Sequence, residues 1–137
     1  MLIRGRGISG GVASGTILVS PEPISFLSGV DPETGTIVEH GHPLCGVRIA
    51  GKILAFPFGK GSTVGSYILY ALSRNGNAPA GIINDEAEPI IATGAIIGNI
   101  PMIDRIGRPV TSLKDGAIAT LDGEEGTLLY EGDPSEG

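Results

Sequence analysis

Glycine and proline limit what this chain can build. It carries 23 glycines and 10 prolines in 137 residues, about a quarter of all positions, so most segments between turn formers are too short for anything but strands and single turns. A packed fold is still expected. Ile, Leu, Val and Phe come to roughly 28% of the chain, above the roughly 20% below which too little apolar surface is buried to offset chain entropy.

One run carries clear helical periodicity. Val64, Tyr67, Ile68, Ala71 and Leu72 recur at i, i+3, i+4, i+7 and i+8 and paint a single apolar stripe. Ser62 and Thr63 stand at its start as N-cap residues, and Asn75-Gly76 supplies a left-handed stop. Elsewhere the pattern predicts short strands at Leu2 to Ile8, Thr16 to Val19, Thr36 to Glu39, Val47 to Ile49, Ile53 to Phe56 and Ala80 to Ile83. Ile96 to Ile97 and Met102 to Ile103 are further extended candidates, and Glu88 to Ala92 reads as a brief helix. Ala117 to Leu121 and Thr127 to Tyr130 form a closing hairpin through Asp122-Gly123-Glu124-Glu125-Gly126. Pro21 to Gly35 reads as a long loop with a single turn near Ile24 to Leu27. The sum is an α/β domain of many short strands with one main helix, spanning 1–131, followed by a frayed tail at 132–137.

Charge and composition exclude several classes. Fifteen acidic against nine basic side chains, a formal charge of −6, argue against gripping a phosphodiester backbone, so no nucleic-acid partner is expected. No apolar run approaches the roughly 18 residues of a membrane span, and Met1 does not open a secretory signal, so the expected location is cytoplasmic. A single cysteine, Cys45, allows no internal disulfide and cannot by itself hold a cluster that needs three or four thiolate or imidazole ligands. His40, His42 and Cys45 lie close in the chain, but two histidines and one thiol fall short of a ligand set; the segment reads as a polar loop, and no metal ligand is assigned.

The segment from Phe56 to Ser66 joins a predicted strand to the clear helix. Its glycines let backbone approach a ligand closely, and the helix start offers free N–H groups to an anion. It is not a nucleotide P-loop: the position five residues before Gly59 is Leu54, and Lys60 is followed by Gly61 rather than Ser or Thr. Pattern alone fits an ordinary N-cap after a glycine turn equally well.

Three segments together go further. Gly59-Lys60-Gly61-Ser62-Thr63-Val64-Gly65-Ser66-Tyr67, Gly29-Val30-Asp31-Pro32-Glu33-Thr34-Gly35 and Asn77-Ala78-Pro79-Ala80-Gly81-Ile82-Ile83 resemble the small subunit of the aconitase X family over nearly the whole chain. The resemblance implies the swivelling β/β/α domain of aconitases as a separate chain, closing over a large subunit that holds an iron–sulfur cluster. It also implies a hydro-lyase, active only with that large subunit. The substrate implied is a small phosphorylated hydroxy acid, (R)-5-phosphomevalonate, dehydrated to trans-anhydromevalonate 5-phosphate in an archaeal, mevalonate branch of isoprenoid synthesis. The family's proton-accepting serine falls on Ser62, with Lys60, Gly61 and Thr63 as substrate-binding neighbours.

A free hydroxyl ionises only at a pKa of roughly 16, like water's 15.7, and a helix N-terminus offers at most about 2 kcal/mol. Ser62 therefore needs nearby cations and a dry interface, for which Lys60, then Arg4 and Arg6, are the local candidates. Asp31 and Glu33 suit either a site loop or a turn, while Asp85, Glu86 and Glu88 suit a solvated face or a contact with the large subunit. Alternatives are a related dehydratase or isomerase subunit for another hydroxy acid, such as a hydroxyproline or isopropylmalate derivative, and a non-catalytic swivelling assembly domain. A phosphohistidine carrier is disfavoured because neither His40 nor His42 precedes a helical pattern.

Overall fold

A computed structural model describes residues 1–60 and 64–131. Gly61, Ser62 and Thr63, with the expected tail at 132–137, lie outside the described residues.

The opening segment divides at Gly5 into β1 (Leu2–Arg4) and β2 (Arg6–Ser9) instead of running as one strand. A Cβ at Gly5 would collide with the Asp104 carbonyl oxygen, so only glycine passes here. Gly10 and Gly11, the latter at φ +115, lead into β3 (Val12–Val19). The stretch expected to be loop holds three small elements: β4 (Ile24–Ser25), α1 (Phe26–Gly29) and β5 (Val30–Asp31), the last paired antiparallel with β6 (Thr36–Ile37). Ile24, Phe26 and Val30 are buried, and that burial orders a proline-rich stretch whose local signals favour loop. Val47 to Ile49 is not a strand; it contributes only a bridge between Arg48 and Thr36.

The chain continues through β7 (Ile53–Ala55), β8 (Gly59–Lys60), α2 (Gly65–Arg74), β9 (Gly81–Ile83), α3 (Pro89–Ile97) and β10 (Met102–Asp104). A 3-10 turn at Val110–Ser112 precedes the hairpin of β11 (Ile118–Asp122) and β12 (Thr127–Tyr130). The main sheet runs β1-β12-β11-β3-β7-β9-β10-β2. Its end strands β1 and β2 are consecutive in the chain, so the sheet folds back on itself, and Gly5 N–H donates to the Gly126 carbonyl at 2.7 Å where the ends meet.

Alternation along the central strands defines three layers. Ile53, Ala55, Ile83 and Ile103 point into a core shared with Ala119, Leu121, Leu128 and Tyr130, between the two halves of the folded sheet. Their neighbours Leu54, Ile82 and Met102 point the other way, into a second core with Leu69, Leu72, Ile91 and Ala95 of the helices. This is the β/β/α arrangement the resemblance implied.

Two helices of similar length, not one, form the α layer. α3 extends past Ala92 and takes in Ile96 and Ile97, which look extended by propensity. Its start is built locally: Pro89 occupies the first turn, and the Glu88 carboxylate accepts from Ile90 N–H at 3.0 Å and Ile91 N–H at 2.7 Å. Its middle is set by packing, because a Cβ on Gly94 would lie 2.7 Å from Leu69 Cδ1 and 3.1 Å from Ser66 Cα. That close crossing turns the buried face of α2 toward Gly65, Leu69 and Leu72. Tyr67, expected on the apolar stripe, stands 68% exposed. Asn75 and Gly76, the latter at φ +74, end α2 as read from sequence.

Candidate functional site

The helices α2 and α3 run parallel: Gly65 faces Ile90 at one end, and Ser73 Oγ donates to the Gly98 carbonyl at 2.6 Å at the other. Each follows a parallel strand, β7 and β9, so both helix starts gather at the carboxyl ends of these strands, where open α/β sheets place ligands.

At that edge the chain leaves β7 through Phe56-Pro57-Phe58 and forms β8, which pairs in parallel with β4. It reappears at Val64, already helical at φ −62 and ψ −18, as the residue before α2. Ser62, Gly61 and Thr63, the residues assigned to catalysis and substrate binding, occupy the link between these fixed points and lie outside the described residues. Gly59 is pressed against the first turn of α3: a Cβ there would strike the Ile91 side chain and lie 3.2 Å from Glu88 Oε1. Both helix starts are thus anchored to β8, one by sequence and one by contact.

Lys60, the third expected substrate-binding residue, is partly exposed and is held by Glu39, with Nζ to Oε2 at 3.1 Å. The other Glu39 oxygen, Oε1, is buried and accepts no hydrogen bond from the described residues. Of the two remaining candidate cations, Arg6 is bound bidentately to Asp104 at 2.9 and 2.7 Å, and exposed Arg4 sits on β1, paired with β12 in the far half of the sheet. Neither is joined to β8 by a described bond, whereas Lys60 ends β8 and adjoins the link in the chain.

Asp104 is fully buried and also accepts from Ala87 N–H at 2.7 Å, which ties β10 to the loop entering α3. Burial pushes its carboxyl up, but the Arg6 guanidinium and the Ala87 amide outweigh that and hold it below the ordinary carboxylate range. Glu86 makes a bidentate pair with Arg105 at 3.0 and 2.8 Å, and that hydrogen bonding lowers its own pKa. Asp85 accepts from Val110 N–H at 2.8 Å. These acids, with Glu88 as the α3 cap, brace the loop from within the chain rather than standing as a purely solvated face.

Asp31 and Glu33 resolve toward the turn: Asp31 Oδ1 accepts from Glu33 N–H at 2.9 Å. Behind them Asn77 Nδ2 donates to the Glu33 carbonyl at 2.7 Å, and Asn75 Nδ2 donates to that of Pro32 at 2.9 Å. Two of the three resembling segments, 29–35 and 77–83, are therefore stitched together. Glu39 lies against Gly29 and reaches Lys60, which joins the third.

His42 is buried, with both ring nitrogens engaged. Nδ1 accepts from Leu44 N–H at 3.0 Å, so the ring proton sits on Nε2, which donates to the Pro23 carbonyl at 3.2 Å and lies 3.4 Å from Ser20 Oγ. His40 and Cys45 are exposed. Among the described residues no three His, Cys, Asp or Glu side chains are grouped to hold a metal ion. No helix among them is long and apolar enough to cross a membrane.

Sequence reasoning missed Glu39, Asp104 and Asn84. Asn84 follows β9, is fully buried, donates to the carbonyls of Phe56 at 2.9 Å and Ile83 at 3.2 Å, and leaves Oδ1 without a partner among the described residues. Their principal partners, Lys60, Arg6 and the Phe56 carbonyl, lie 21 to 98 positions away, so no local motif marks them. Glu88, read from sequence as the first residue of a brief helix and a solvated or partner-facing acid, is instead the cap of α3, and the signal for it was an acid directly before a proline.

Comparison with known proteins gives four findings. The family model described as the aconitase X swivel domain matches residues 2–130. A phosphomevalonate dehydratase small subunit from Methanocella arvoryzae is 56% identical over 129 residues, covering 93% of this chain and 98% of that one. The crystal structure of Thermococcus kodakaraensis aconitase X in its holo form superposes with a TM-score of 0.91 at 51% identity, covering 96% of this chain and 98% of that one. A 3-isopropylmalate dehydratase structure from Methanocaldococcus jannaschii, 14% identical with a TM-score of 0.59 over 89% of this chain and 83% of that one, shares the fold alone.

Proposed function

This chain belongs to the aconitase X swivel-domain family, and from that premise we propose that it is the small subunit of a two-subunit hydro-lyase that dehydrates (R)-5-phosphomevalonate to trans-anhydromevalonate 5-phosphate. The observation that carries the reading is 56% identity to a phosphomevalonate dehydratase small subunit across nearly all of both chains. The match covers 93% of this chain and 98% of that relative.

The chain's own part is proton removal. Ser62 stands two residues from Lys60 and two from Val64 in the chain, so covalent reach keeps its Cα within about 7 Å of each. Its hydroxyl is the proposed acceptor of the proton on the carbon beside the substrate carboxylate. Proximity to one cation and one helix start lowers the cost of its alkoxide, and closure against the large subunit removes the water that would screen both. Lys60, with Gly61 and Thr63, is the proposed contact for the anionic substrate.

The family implies an iron–sulfur cluster, and this chain does not fit one. Its single cysteine is exposed and both nitrogens of buried His42 are engaged within the chain. The cluster is accordingly proposed to belong to the large subunit, and no step is assigned to it here.

The test is to co-express the chain with its large subunit and assay loss of water from (R)-5-phosphomevalonate. The complex should turn over and the isolated chain should not. Turnover of a different hydroxy acid, with none of phosphomevalonate, would keep the hydro-lyase and discard the substrate.

A further inference from the structure

The cation nearest in sequence to the candidate base already has a carboxylate partner. Lys60 Nζ lies 3.1 Å from Glu39 Oε2, and the other carboxylate at β8, Glu88, spends both its oxygens on the amides that open α3. An anion arriving at β8 therefore meets no uncommitted positive side chain among these three groups.

The seat of Glu39 is built for this contact. A Cβ on Gly29 would lie 3.0 Å from Glu39 Oε1, and the carboxylate lies against the space that glycine leaves. Val38 N–H donates to the Gly29 carbonyl at 2.9 Å, which fixes the backbone beside Glu39 over the end of α1. Yet the carboxylate is only half satisfied: Oε2 has the lysine, while buried Oε1 accepts nothing from the described residues. Such a group is poorly compensated for its lost water. Exchange of the lysine to a better anion, with Glu39 turning toward solvent, is correspondingly inexpensive, since both side chains remain partly exposed.

We infer that Glu39 is a specificity-determining residue acting through Lys60: it occupies the ammonium at rest, so that a phosphate monoester dianion gains the lysine and a singly charged carboxylate does not. A dianion has twice the Coulomb attraction of a monoanion for the same cation at the same distance. An incumbent carboxylate cancels the advantage of another carboxylate and leaves that of a phosphate. The inference rests on the dehydratase reading and adds to it a reason why the phosphorylated form of the hydroxy acid is taken.

The experiment uses the full chain labelled with 15N. The backbone amides of Gly59 and Lys60 are followed while inorganic phosphate at pH 8, or acetate, is added at matched ionic strength. Wild type should bind phosphate and not acetate. Glu39→Gln should bind both, with the preference for phosphate reduced at least fivefold. Lys60→Met should bind neither, and the double variant should behave as Lys60→Met does. The spectrum of each variant reports its folding directly. An unchanged preference in Glu39→Gln, anion binding that survives loss of Lys60, or no saturable phosphate binding by Glu39→Gln would each overturn the inference. None of these outcomes depends on turnover, so a complex that dehydrated no hydroxy acid would remove the dehydratase reading while the titration still decided the role of Glu39.

Discussion

Replacing Asp104 by Asn tests how the edge that carries the site is held together. The wild-type carboxylate is fully buried, accepts two hydrogen bonds from Arg6 at 2.9 and 2.7 Å and a third from Ala87 N–H at 2.7 Å. Asparagine keeps the volume and one acceptor, so the Ala87 bond can persist, but the charge-assisted fork to Arg6 is lost. Hydrogen bonds to charged groups are worth about 1.5–3 kcal/mol each. Arg6 is 43% exposed and can return to water, which discounts that figure, so the expected loss is about 1–2 kcal/mol. Asp104→Ala should cost about 2–4 kcal/mol, because the partly buried Ala87 N–H loses its acceptor as well.

The pH dependence supplies the sharper check. A carboxyl held below its ordinary value of 3.8 in the folded chain contributes stability that is fully present above the unfolded pKa and disappears as pH falls through the folded one. The urea midpoint gap between wild type and Asp104→Asn should therefore be constant from pH 7 to about pH 5 and should close as pH drops below the ordinary carboxylate range. A gap under about 0.5 kcal/mol at pH 7, or one that stays open at the lowest pH where both variants fold, would refute the account.

Three further outcomes are expected. Ser62→Ala should lower turnover of the reconstituted complex by about 10²-fold or more, in line with loss of a general base, while size-exclusion chromatography shows assembly intact; near-normal kcat would remove Ser62 from proton transfer. Glu88→Ala should destabilise the chain by about 1 kcal/mol through loss of the α3 cap, read as a lower urea midpoint with an unchanged slope. Gly94→Ala should gain about 1 kcal/mol of helix propensity but lose about 1–3 kcal/mol to overpacking against Leu69 and Ser66; thermal melting should show a net decrease.

Much of the fold was legible because its causes are local. The 10-residue α2, its Asn75-Gly76 stop, the Ile53 and Gly81 strands and the closing hairpin all follow from side-chain periodicity and turn chemistry within a dozen residues. What was misread came from competition between local preference and distant packing. The Pro21 to Gly35 stretch looks like loop until Ile24, Phe26 and Val30 are buried in the second core. Ile96 and Ile97 look extended until Gly94 admits Leu69 and draws α3 along α2.

The site divides along the same line. Sequence alone determined the family, set Lys60 and Ser62 on the link into α2 and left a single cysteine, too few to hold a cluster, because residue order and a cysteine count are properties of the chain itself. Only the tertiary structure decided that Arg6 is spent on Asp104 and that Glu39 holds Lys60. Those pairings join residues 98 and 21 positions apart, and a charge's partner is set by where strands and loops bring it rather than by its neighbours in the chain.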